Sequence, residues 1–479
     1  MVTTIKIQNC YSWLSTDNDK VKNELWQALK FRELNYRHSR LYKQKLWDGF
    51  TEFFKKETGR FLTGLLPEVT GALKFWNIDF QIIDERNQVK FITDSIKPDF
   101  LQQWSTKKFD LYDYQVDLIN QAIKHHRGIV TASTGAGKTE ILIGILKCLP
   151  PKCPCLILGN KKSLVQQNYE RLSEWGFENI GRIYDKIFEP NVMTCATVQS
   201  LHKIENLIPH IKCIFVDEVH NMMSKEPKKW YNKCKNASVR IAISATWEKY
   251  GGKDKCQRYS VKGYFGSVFK TNSDAAVDGV VKTSRLQKRG SLSKSICTFW
   301  PILEPSLPHD IYADAVVNGI ANNWHLHDII KKIIQKYCKG RTLIIVERIA
   351  HGDALHGLIK DSLWIAGKDD LDTRKEVIKR LEKSSKEKAV AIATKGIFTD
   401  GINVHLNNLI NASGGKAEHN IIQIMGRGLR PADDKDKLYY HDFMFFNNNY
   451  LERHSKNRVR ILKKEEHEVI IKNDLNDLN

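Results

Sequence analysis

The sequence predicts an α/β chain in which two successive parallel-sheet units follow a small leading domain. Three observations carry that prediction. After about Lys108, short β-branched runs recur that are mostly apolar on both faces, as strands covered by helices on each side must be. Segments such as "KSLVQQNYERLSEWG" and "TRKEVIKRLEKS", which suit amphipathic helices, separate them. The first run opens into a Gly-rich loop.

Residues 1–105 hold aromatic and basic residues without β-α alternation and read as a small α+β accessory domain. Residues 106–270 contain "GIVTA", "CLILG", "NVMTCAT", "CIFVDE" and "RIAISAT", the strands of a first unit. Residues 271–446 contain a linker and then "TLIIVE", "SLWIA", "AVAIAT", "NLINAS" and "KLYYHDF", the strands of a second. The linker is assigned to "VKTSRLQKRGSLSKSICTFW", which holds Lys282, Arg285, Lys288, Arg289 and Lys294 and contains no acidic residue. Residues 447–479 form a charged extension, either a helix or a loose tail.

The net charge of +20 favours a polyanionic partner, although a basic protein need not have one. The ten cysteines show no CxxC pair and no zinc-ligand spacing, which fits reduced thiols. The N-terminus lacks the basic and apolar regions of a signal peptide, and no apolar run approaches the roughly 18 residues of a membrane span. A cytoplasmic protein is expected.

The chemistry begins at "TASTGAGKTE". Ser133, Thr134, Gly135, Ala136 and Gly137 link a strand to a helix, and small residues there let backbone N–H groups curl around phosphate oxygens at the positive end of the helix. Lys138 would neutralise the β- and γ-phosphates of a nucleotide, and the Thr139 hydroxyl would ligate Mg2+. "CIFVDEVH" then delivers two carboxylates at the end of an apolar strand. Asp217 would hold the metal through water, and Glu218 would orient and deprotonate the attacking water. ATP and Mg2+ are the expected cofactors.

With those residues in place, the chain resembles the superfamily 2 helicases. "DEVH" resembles their DExH box, and seven further motifs follow the family's order from Leu111 to Arg430. "LYDYQ" resembles the Q-motif, which implies that Gln115 reads the adenine edge. "LILGNKKSLVQQ" and "TCATVQS" resemble motifs Ia and Ib, which implies nucleic-acid contacts from Lys162, Thr197 and Gln199. "SAT" resembles motif III and implies that Ser244 and Thr246, with His220, couple hydrolysis to movement. "TLIIVERIAHG" resembles motif IV. "ATKGIFTDGINV" resembles motif V and implies a strand contact from Thr394 and a nucleotide contact from Asp400 and Gly401. Asn403 stands there where many relatives carry Asp. "QIMGRGLR" resembles motif VI. Its Arg427 and Arg430, three apart on an expected helix, present guanidinium forks suited to the γ-phosphate, and the resemblance puts Gln423 in the same cleft. Two tandem RecA-like domains are therefore implied, with the ATP site divided between them.

The substrate is read from the leading domain. In "RHSRLYKQKLWDGFTEFFKKETGRFLTGLLPEV", Arg37, Arg40, Lys43, Lys45, Lys55, Lys56 and Arg60 interleave with Trp47, Phe53 and Phe54, suiting phosphate contact and base stacking, while an ordinary aromatic core explains the pattern equally well. The order "WDG" then "TGLL" resembles UvsW-type phage helicases. That resemblance implies action on forked and four-way DNA in recombination, replication or repair, with Lys45 and Trp47 as contacts, in a host cytoplasm if the gene belongs to a phage. An RNA helicase, the motor subunit of a restriction system and a DNA-binding scaffold with an inactive site remain open.

Overall fold

The computed structural model describes residues 3–105, 108–247, 254–307, 311–367, 369–383, 388–399, 404–416, 418–431 and 435–478. They group into two units, Met1–Ala132 with Gly137–Val281 and Ser133–Ala136 with Lys282–Asn479.

The leading domain of the first unit is α+β. Alternating side chains at Thr3–Ile7 and Tyr11–Ser15 put Ile5, Ile7 and Leu14 on one face of a five-stranded sheet. Helices Asp19–Ala28 and Leu66–Phe75 contribute Val21, Leu25, Val69 and Leu73 to the same core. Phe53 and Phe54 are 6% and 0% exposed in that core. They are therefore structural residues and leave the expected base-stacking surface. The "TGLL" motif has a packing reason too. A Cβ on Gly64 would stand 2.0 Å from the Lys262 carbonyl oxygen, so only glycine lets this segment approach helix Lys255–Phe265. Lys262 and Glu68 (2.8 Å) and the rings of Phe31 and Tyr259 (4.4 Å apart) complete that contact.

The rest of the first unit is a seven-stranded RecA-like sheet. Its spatial order is Ile187–Glu189, Ile180–Tyr184, Met193–Thr197, Cys155–Gly159, Cys213–Asp217, Val239–Ser244 and Arg127–Thr131, and only the first pair is antiparallel. The central strands are buried on both faces, which explains their continuous apolar runs.

The second unit holds a seven-stranded, all-parallel sheet in the order Leu363–Ile365, Ala389–Thr394, Arg341–Val346, Asn408–Asn411, Lys437–Phe445, Lys294–Ile302 and Glu468–Ile471. The expected linker is corrected here. Thr283–Lys288 is helical, and Lys294–Ile302 pairs along its whole length with Lys437–Phe445. Its Lys/Ser start conceals the apolar run from Cys297 to Ile302. The charged last segment folds into this unit as helix Asn449–Lys464 and an edge strand.

A fully buried ion pair ties that helix down. Arg458 and Asp442 meet at 2.8 Å with side chains 1% and 0% exposed, and Tyr440 and Asn411 donate to the same carboxylate. Removing one partner leaves the other charge buried without compensation. Arg458→Met should cost the second unit about 3–5 kcal/mol, read by urea or thermal unfolding. No helix among the described residues is long and apolar enough to cross a membrane.

Candidate functional site

Strand Arg127–Thr131 ends level with Ser244 of its neighbour and passes into the phosphate loop. Gly135 and Gly137 take φ of +87° and +71°, and Gly137 caps helix Lys138–Lys147. Lys138 Nζ folds back to within 3.3 Å of the Ala132 carbonyl oxygen. Thr134 Oγ1 is buried and has no hydrogen-bond partner among the described residues. The Gln115 side chain accepts from the Tyr112 N–H (2.9 Å) and donates to the Gly137 carbonyl (3.4 Å), bracing the loop from the preceding helix.

The acidic pair stands two strands away. Asp217 closes strand Cys213–Asp217, and Glu218 follows in left-handed backbone (φ +51°, ψ +51°), which turns its side chain away from the strand direction. Burial first, and then the Glu218 carboxylate, push Asp217 up to about 6, against the pull of Lys138, the Glu218 N–H and Asn168. Asn168 is a site residue that motif reading misses. Its signal is an amide buried to 6% exposure on the apolar face of helix Lys162–Glu174.

Glu218 is joined to the neighbouring strand by a short network. Ser244 Oγ donates to Glu218 Oε2 (3.2 Å) and accepts from His220 Nδ1 (2.9 Å) and the Thr246 N–H (3.2 Å). Asn221 Nδ2 lies 3.0 Å from His220 Nε2, an arrangement that suits the neutral Nδ1–H tautomer. His220, Ser244 and Thr246, expected as coupling residues, thus contact the same carboxylate directly or through one hydroxyl. Thr139 sits one residue into the helix behind the loop, partly exposed.

The expected nucleic-acid contacts separate by exposure. Lys162 and Gln199 are exposed after the C-terminal ends of adjacent strands, in register at Thr197 and Gly159. Thr197 is buried and shares a hydrogen bond with Ser200 (3.0 Å). In the leading domain Lys45 is exposed with φ of +57°, and the half-buried Trp47 donates its indole N–H to the Phe50 carbonyl (2.7 Å).

In the second unit Thr394 ends strand Ala389–Thr394, with Oγ1 buried and unpartnered among the described residues. Asp400 and Gly401 lie outside the described residues, as does Asn403. Gln423 and Arg427 share a face of helix Glu418–Gly428, four residues apart. Arg430 does not continue that helix. Pro431 disfavours helical backbone at the residue before it, and the Arg430 carbonyl instead accepts from Lys435 Nζ (3.0 Å) and Ser293 Oγ (3.5 Å).

Residues 108–249 match the family model described as "Type III restriction enzyme, res subunit". The chain is 24% identical over 369 residues to the DNA 3'-5' translocase XPB2 of Sulfurisphaera tokodaii, covering 69% of this chain and 81% of that one. Among solved structures, the ATP-dependent Type ISP restriction-modification enzyme LlaBIII bound to DNA matches with a TM-score of 0.55 at 15% identity, over 86% of this chain and 34% of that one. T4 UvsW matches with a TM-score of 0.48 at 17% identity, over 98% of this chain and 99% of that one.

Proposed function

We propose that this chain, a superfamily 2 helicase, is an ATP-driven DNA translocase that unwinds or branch-migrates forked and junction DNA. The observation that carries the motor reading is the network from Glu218 through Ser244 to His220 and Thr246, built beside a phosphate loop on one parallel sheet. A carboxylate so connected can report the state of a reacting phosphate to an adjacent strand end.

The residues fit ATP and Mg2+. Two adjacent carboxylates, both half-buried, have Lys138 as the cation acting on Asp217, and the buried Thr134 hydroxyl has no partner among the described residues. Bound Mg2+ would neutralise phosphate charge, held through Thr139 and Asp217. Lys138 and the loop N–H groups of 133–137 bind the phosphates, with Gln115 behind them. Glu218 takes the proton of the attacking water. Gln423, Arg427 and Arg430, with Asp400 and Gly401, are proposed to complete nucleotide sensing from the second unit. Lys45, Trp47, Lys162 and Gln199 are proposed to face DNA, whereas Thr197 and Thr394, buried at the ends of their strands, are proposed to support the loops that follow. The basic leading domain, packed against the motor through Gly64 and Phe31, supports a branched track in recombination, replication or repair, in the cytoplasm.

The test is ATP hydrolysis and strand separation across single-stranded DNA, duplex, fork, four-way junction and RNA. Junction or fork should stimulate most, and greater stimulation by RNA overturns the DNA reading. Lys138→Ala should lower stimulated hydrolysis by at least ~10²-fold, the scale of losing one preorganised charge-stabilising group. A restriction-type motor subunit is the second reading, favoured by the family match at 108–249. It predicts translocation on linear duplex without a preference for branches.

A further inference from the structure

Two thiols meet at the end of the first unit's sheet that lies away from the phosphate loop. Cys153 and Cys213 bring their Sγ atoms to 3.5 Å across 60 positions of chain. Cys213 opens strand Cys213–Asp217, and Asp217 closes it about 13 Å farther on at the rise of an extended strand. Cys153 precedes the neighbouring strand Cys155–Gly159, in which Cys155 is in register with Cys213.

The backbone on both sides fixes the contact. Pro150–Cys153 closes a tight turn, in which the Cys153 N–H donates to the Pro150 carbonyl (3.3 Å). Pro151 sets the second position of that turn, and Lys152 takes left-handed backbone (φ +58°) at the third. The carbonyl of Pro154 then accepts from the N–H groups of both Lys212 and Cys213 (2.9 and 3.2 Å). Cys153 is held between a proline turn and a proline bonded to the start of the partner strand.

The two sulfurs are unequal. Of the ten cysteines, Cys153 alone is partly exposed, and the other nine, Cys213 included, are buried. The Cys213 thiol donates to Cys153 and, with the Lys212 charge, holds Cys153 below the ordinary thiol value against its own burial. Burial first, and then that contact, push Cys213 well up. An accessible thiolate beside a second, protonated thiol is the arrangement that peroxides oxidise to a disulfide.

We propose that Cys153 and Cys213 form a peroxide-oxidisable pair, Cys153 attacking and Cys213 resolving, that closes to a reversible disulfide at the base of the first unit's sheet. The Cys153 thiolate attacks one oxygen of hydrogen peroxide and the O–O bond breaks. Sulfenic acid forms on Cys153, and the departing hydroxide takes up the proton that Cys153 released, leaving as water. The Cys213 sulfur then attacks the Cys153 sulfur, the S–O bond breaks, and a second water carries away the Cys213 proton. The two sulfurs together lose the two electrons that the peroxide gains. The Sγ atoms stand about 1.5 Å farther apart than in a disulfide, a gap within reach of side-chain rotation. The bond would join two adjacent central strands at the end opposite Asp217 and Glu218.

The experiment treats the full chain with hydrogen peroxide at a dose that fully oxidises glutathione in parallel. Thiols are then counted after denaturation, and cross-linked peptides are mapped by mass spectrometry. Wild type should lose two of its ten thiols, yield a peptide pair joining Cys153 to Cys213, and recover both thiols with dithiothreitol. Cys153→Ser should lose none. Cys213→Ala should accumulate sulfenic acid on Cys153, trapped by dimedone well above the wild-type level. Retention of all ten thiols by wild type, or a bond from Cys153 to Cys155 instead, overturns the pair. Equal dimedone trapping in wild type and Cys213→Ala overturns the resolving role of Cys213, and the disulfide with it. The wild-type map decides the matter even where Cys213→Ala fails to fold.

Discussion

Glu218→Gln should lower nucleic-acid-stimulated turnover by roughly 10²–10⁴-fold, the usual contribution of a positioned general base. ATP affinity should stay within a few-fold of wild type. The reason lies in how the side chain is held. Left-handed backbone at Glu218 costs about 1–3 kcal/mol for a non-glycine residue, and such strain persists only where the surroundings over-determine it. Here Ser244 donates to Oε2, and His220 Nδ1 stands 3.3 Å from the same oxygen, so the plane of the carboxylate is set by two neighbours. Glutamine keeps the volume and an accepting oxygen but cannot take a proton. Single-turnover hydrolysis separates the outcomes: slow chemistry with normal nucleotide binding supports the base, whereas unimpaired chemistry assigns that role elsewhere.

The parts of this site differ in how far sequence alone reveals them, and the difference is physical. "GIVTA", "CIFVDE" and "RIAISAT" are recognisable as strands because both faces are buried and both must be apolar. Hairpin Ile180–Glu189 is not, since it lies at a sheet edge with Arg182, Asp185 and Lys186 diluting its alternation. Strand Lys294–Ile302 is hidden for another reason. Pro301 argues against a strand interior, yet pairing with Glu468–Ile471 ends at Phe299, so the proline lies beyond the last rung on that side. Asp217 and Glu218 are legible as neighbours in the chain. The contact of Glu218 with Ser244 spans 26 positions and exists only because their two strands are adjacent in the sheet. Motif order implies that such residues cooperate, but the hydroxyl between carboxylate and imidazole is visible only in three dimensions. Arg430 reverses the lesson: its spacing from Arg427 suggests a shared helix, and Pro431, already in the sequence, argues otherwise.

Asp217→Asn should abolish Mg2+-dependent hydrolysis and at the same time stabilise the metal-free protein. The ordinary carboxyl value is 3.8, and burial beside Glu218 raises that of Asp217 in the folded chain to about 6. The folded state therefore binds the proton more tightly than the unfolded state. The resulting stability is fully present below about pH 4, falls as pH rises from about 4 to 6, and is absent at neutral pH. An uncharged amide escapes that loss, so the variant should gain up to roughly 3 kcal/mol at pH 7, the limit set by a shift of this size. In the presence of chelator, the wild-type melting temperature should drop between pH 5 and pH 7 relative to Asp217→Asn, and Mg2+ with nucleotide should close the gap in wild type only. A variant as unstable as wild type at pH 7, or one whose difference from it is independent of pH, would show that Lys138 and Asn168 already balance the buried charge. A site that destabilises the resting protein through an unneutralised carboxylate is a site in which nucleotide and metal binding does conformational work, and that is the condition for coupling hydrolysis to movement along a strand.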